Sequence, residues 1–131
     1  MDNRDIILNC LNENWPDEMS MIGDDLATRI VDDALKGIRT PIKRSRGGYN
    51  FDLTPYIDTI IAAASLLVSF IEVWINWRDK KSQQPHDPNH TEEEIVRILA
   101  DIVKEAMKLE PVKATKLARV FIRVVLHSDH Q

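Results

Sequence analysis

Thr59–Ile71 (TIIAAASLLVSFI) is a run of thirteen residues without a charge, closed by Asp58 and Glu72. No other segment limits the fold as strongly. A bilayer span takes about 20 apolar residues, so the run by itself predicts a buried core helix. The wider stretch 56–77 contains only those two acids. Tyr56 stands at one end and Trp74 and Trp77 at the other, where interfacial aromatics stand in bilayer helices. Membrane association through residues 56–77 is therefore the open alternative. Bases flank both ends (Lys43, Arg44 and Arg46; Arg78, Lys80 and Lys81), so charge gives such a span no orientation.

The polar residues of this stretch are ordered. Asp58, Ser65, Ser69, Glu72, Asn76 and Asp79 follow one another at spacings of 7, 4, 3, 4 and 3. On a helix they share one narrow stripe, with Ala62 beside it. A stripe facing water suits the central helix of a soluble domain. A stripe facing another helix suits a bilayer or an oligomer. The remaining apolar circumference exceeds what about four other elements could cover, which predicts a homo-oligomer, an obligate complex or a membrane-bound form.

Charge divides the rest of the chain. Residues 1–35 carry nine acids against two arginines, whereas residues 36–46 carry five bases and no acid. Ile7, Leu8, Leu11 and Trp15 recur at helical spacing, with strand as the alternative. Pro16 suits the first position of a second helix, with Asp17 and Glu18 in its first turn. Met19, Ile22, Leu26, Ile30, Ala34 and Ile38 predict one amphipathic helix ending near Gly37. Residues 38–53 read as a basic β-hairpin. Tyr49, Phe51 and Leu53 alternate with polar residues, Gly47–Gly48 supplies the turn, and Pro41 confines the first arm to an edge.

Thr54–Pro55 starts the long apolar helix, which is expected to run to about Asp79. Residues 82–91 form a polar, proline-containing linker, and Thr91 to Glu94 reads as a capping box. A helix with Ile95, Leu99, Ile102, Ala106 and Leu109 on one face follows. A last helix starts at Pro111 and continues to about Leu126, its β-branched tail allowing a strand. The expected class is α+β and mostly helical. Residues 1–81 form one module and residues 92–131 a C-terminal helical pair packed on it.

Residues able to carry chemistry are few. One cysteine, Cys10, excludes an internal disulfide framework and a cysteine zinc site, and its acidic, apolar neighbourhood does not activate a thiol. His86 and His90 flank Pro88, which denies them a helix to hold a metal, and His127 and His130 lack an evident third ligand. Asp24, Asp25, Asp32 and Asp33 read as a solvated face. No phosphate-binding, dinucleotide or serine-nucleophile motif is present. No catalysis, metal or cofactor is expected. The N-terminus does not read as a signal peptide, so the expected location is a reducing cytoplasm.

Two resemblances add to this. Residues 5–54, helices followed by IKRSRGGYNFDLT, resemble a winged-helix module with a basic wing. That resemblance implies a nucleic-acid-binding regulator as the alternative function. The acids Asp32 and Asp33 on its recognition helix would repel phosphates, which disfavours nucleic acid. Residues 38–81, a basic hairpin leading into FDLTPYIDTIIAAASLLVSFIEVWINWRDKK, are similar to small effector-associated components of bacterial defence systems. This resemblance implies a non-catalytic adaptor that regulates an effector enzyme by protein–protein contact. The residues expected to meet another subunit, or a second copy, fall in three groups. They are the hairpin bases Lys43, Arg44 and Arg46, the apolar Ile60, Leu67, Phe70 and Trp74, and a basic strip of Lys113, Lys116, Arg119 and Arg123.

Overall fold

The computed structural model describes residues 2–41, 53–83 and 92–129. These hold six helices: α1 (Asn3–Asn14), α2 (Pro16–Ile22), α3 (Asp24–Leu35), α4 (Thr54–Gln83), α5 (Glu92–Met107) and α6 (Pro111–Asp129). No strand occurs among the described residues, so the α+β expectation is corrected to all-helical. Most of the expected hairpin, with Lys43, Arg44 and Arg46, lies outside the described residues, as does most of the 82–91 linker. The described part of its first arm, 38–41, is not extended pairing. Thr40 is buried, and its hydroxyl donates to Asp33 Oδ2 at 2.8 Å. Arg39 reaches Asp58 at 3.4 Å. Those side-chain ties hold the segment where a strand partner was expected.

The chain forms two compact units, one from Asp2 to Ser65 and one from Leu66 onward. The division falls inside α4. In the first unit α1 packs on α2 and α3, and α2 on α3. Asp2 caps α1, its carboxylate accepting from the Asp5 N–H at 3.0 Å. Pro16 occupies the first turn of α2, as its missing N–H favours.

The single helix expected from Pro16 to Gly37 is two. Gly23 breaks it with φ 86° and ψ 160°, a conformation open in practice only to glycine, and its N–H still reaches Met19 O. α3 then begins on Asp24 and Asp25, whose charges favour a helix N-terminus. It ends as expected near Gly37, which has φ 74°. The Gly37 N–H reaches Ala34 O and the Ile38 N–H reaches Asp33 O, the two bonds of a Schellman motif. Ile6, Ile7, Cys10, Leu11, Met19, Ala27, Ile30 and Val31 make the core of these three helices.

In the second unit α5 packs on α6. Phe70 of α4 meets Phe121 of α6 edge to face, with ring centroids 5.3 Å apart. The buried face of α5 is Ile95, Val96, Leu99, Ala100 and Val103. Ile102 is only half-buried and Ala106 is exposed, so the expected face is rotated. α6 is helical throughout its described length, and the strand alternative for its tail is not realised.

Candidate interaction surfaces

α4 is the one helix among the described residues long and apolar enough to cross a membrane, by length and composition. Its two faces differ sharply. Ile60, Ala63, Ala64, Leu67 and Phe70 are fully enclosed, and Trp74 retains 6% of its surface. Asp58, Ala62, Ser65, Ser69, Glu72, Asn76 and Asp79 are exposed. The polar stripe read from the sequence is thus the outer face. Ile75, 41% exposed, is the large apolar exception on it. Ile60, Leu67, Phe70 and Trp74 were expected to meet a partner. All four side chains are buried within this chain. Trp74 stacks on Trp77 one turn later, centroids 5.5 Å apart, and both are buried.

The acids of α3 have separate fates. Asp32 receives Arg4 of α1 in a two-pronged pair, 2.7 Å and 3.2 Å. This contact raises the Arg4 pKa, chiefly through the hydrogen bond. Asp33 accepts from Thr40. Asp24 and Asp25 remain exposed. Two of the four acids therefore fasten α3 to its surroundings, and two face outward. For the winged-helix alternative, the segment 31–36 would read the groove. Its Asp32 and Asp33 are half-buried and engaged by Arg4 and Thr40, and its Leu35 and Lys36 are exposed.

α6 carries the clearest charged surface. Ala114, Leu117, Ala118, Phe121, Val124 and Val125 are buried, while Lys113, Lys116, Arg119 and Arg123 are exposed. No acid occurs in 111–126. The helical period lays three of these bases, Lys116, Arg119 and Arg123, within one turn-to-turn strip, and Lys113 borders it. Arg119 forks onto Glu93 of α5, at 2.8 Å and 3.0 Å. The hydrogen bond from Arg119, and then its charge, hold the Glu93 carboxyl below the usual glutamate range and raise the Arg119 pKa. Beside this pair lies an open depression of about 410 Å³. Val96, Ile122 and Leu126 form its apolar walls, with Arg123 and His127 at its edge. Such a hollow can take an apolar side chain whose neighbours are acidic.

Lys113 and Lys116 make no ion pair among the described residues. Cys10 has no exposed surface, so its thiol is core. Among the described residues no three of His, Cys, Asp and Glu converge as metal ligands would. The α5–α6 ion pair and the Arg4–Asp32 pair escaped sequence reading, because nothing short-range links residues so far apart. The one cue for Asp2 as a cap was its type, three positions before the Asp5 N–H it binds. No family model matches the chain, and no curated protein and no solved structure is similar to it.

Proposed function

We propose that the chain is a non-catalytic interaction subunit that meets a protein partner through the exposed basic face of α6. The observation that carries this reading is the sidedness of α6. Ala114, Leu117, Ala118, Phe121, Val124 and Val125 are enclosed, and Lys113, Lys116, Arg119 and Arg123, with no acid over 111–126, are exposed. Long-range attraction from such a strip speeds encounter with an acidic surface and orients it. The resemblance to effector-associated components makes an effector enzyme's acidic surface one class of partner. α4 acts in this reading as an internal helix of a water-facing fold, because its polar stripe is outside and its apolar side is enclosed.

Binding of a fluorescently labelled poly-glutamate peptide, followed by anisotropy, tests the proposal. The wild type should bind, and the affinity should fall as salt rises. Reversing Lys113, Lys116 and Arg123 to Glu should abolish binding with helix content unchanged by circular dichroism. Undiminished binding in that variant would refute the assignment to α6. Sequence-selective retention of duplex DNA at physiological salt would favour the regulator instead. Binding to anionic vesicles with α4 protected from protease would favour the membrane.

A further inference from the structure

Resting on the reading of α6 as a contact surface, we infer that one partner it takes is a second copy of this chain, docked through the acidic α2–α3 surface. The two patches are chemical complements. On α2, Met21 is 40% exposed and lies one helical turn from the exposed Asp17. Just beyond Gly23, Asp24 and Asp25 are also exposed. On α6, Val112 is 79% exposed and lies one turn from the exposed Lys116, with Lys113 adjacent. Each patch thus sets one bare apolar side chain among charges mainly of one sign. Arg29 lies one turn from Asp25 on the acidic patch and Glu110 near Val112 on the basic one, and the prevailing signs are opposite.

Neither patch spends its charge inside the described structure. Asp17, Asp24 and Asp25 form no ion pair among the described residues, nor do Lys113 and Lys116. Of the two arginines in residues 1–35, Arg4 is held by Asp32 and Arg29 is exposed, against nine acids. The N-terminal surface therefore keeps a marked negative excess.

Sign also decides the geometry of association. Two basic strips repel when brought face to face, and so do two acidic surfaces. A contact of either patch with itself is disfavoured, so the attractive pairing sets the basic patch of one copy on the acidic patch of another. Every copy offers both patches, so the pairing either closes as a two-fold dimer with two reciprocal contacts or repeats into rings or chains. Contacts between exposed charges are screened over about 10 Å at 0.1 M salt. The association should therefore be strong at low salt and lost at high salt.

Sedimentation velocity over a concentration series tests this, at about 0.05 M and about 0.5 M salt. The wild type should exceed monomer mass at low salt, as a dimer or larger, and return to monomer at high salt. Asp17→Lys with Asp25→Lys should be monomeric under both conditions, as should Lys113→Glu with Lys116→Glu. An equimolar mixture of the two variants should associate again, since each supplies the sign the other has lost. If a lysine variant fails to fold by circular dichroism, Asp25→Asn takes its place, with a several-fold loss of association expected. A wild type that stays monomeric at low salt overturns the inference. If that monomer binds poly-glutamate through α6, the reading of α6 as a contact surface stands, and if it does not, both fail. Association that ignores salt and both charge reversals overturns the inference as well.

Discussion

Truncating Phe70 to alanine probes whether α4 is packed by its own chain. Phe70 has no exposed surface, and its ring meets Phe121 edge to face at 5.3 Å with an interplanar angle of 73°. Removing a buried phenylalanine side chain leaves a cavity and costs about 3–5 kcal/mol. The ring pair accounts for about 0.5–1.5 kcal/mol beyond area alone. Against a total stability of about 5–15 kcal/mol, the loss is a large fraction. Urea unfolding followed by tryptophan fluorescence measures it, because Trp74 and Trp77 belong to the same unit as Phe70. The midpoint should fall with little change in slope. Phe121→Ala should cost a similar amount. The double variant should fall short of the sum by about 0.5–1.5 kcal/mol, since the second truncation removes a ring contact already lost. A loss below about 1 kcal/mol for Phe70→Ala would refute the reasoning. It would mean that the ring waits for a partner subunit or lipid instead of filling this core.

Three further outcomes follow from the same structure. Leu67→Lys should unfold the chain or cost more than about 3 kcal/mol, whereas Ser69→Lys, on the outer stripe, should stay within about 1 kcal/mol; thermal melts of both decide it. Gly23→Ala should cost about 1–3 kcal/mol in chemical denaturation through its backbone conformation alone, because an added Cβ meets nothing within 4 Å. Glu93 is held below its ordinary pKa by Arg119, so its contribution is complete above about pH 4.3 and is lost as pH falls through the lowered folded value. The difference in melting temperature between wild type and Glu93→Gln should therefore vanish on acidification, and a difference that persists at low pH would contradict the assignment.

Much of the candidate surface was legible in the sequence because it follows from helical period. The stripe from Asp58 to Asp79 could be placed on one face by spacing alone, and so could the bases of α6 opposite Leu117, Phe121, Val124 and Val125. Pro16 and Gly37 were legible as a start and a stop, since their backbone constraints are local. Gly23 was not, because Met19, Ile22, Leu26 and Ile30 keep helical spacing straight through it. A one-residue break at positive φ leaves that pattern intact. Residues 38–41 misled for a related reason. Placed before the Gly47–Gly48 turn, they read as one arm of a hairpin, and nothing local announces that Thr40 turns inward to Asp33.

The sequence by itself determined which residues of α4 and α6 share a face, since 3.6 residues per turn is a property of the backbone and needs no neighbour. It could not determine what each face would meet. Whether Ile60, Leu67, Phe70 and Trp74 would be covered by this chain, a second subunit or lipid depended on elements distant in sequence. Tertiary packing buries those four side chains and leaves the serine and carboxylate stripe exposed. The same holds for charge. Glu93 and Arg119 are 26 positions apart, and Arg4 and Asp32 are 28 apart. Composition makes all four charged, but only the approach of one helix to another makes them pairs. Lys113, Lys116, Asp17 and Asp25 are among those that form no ion pair among the described residues.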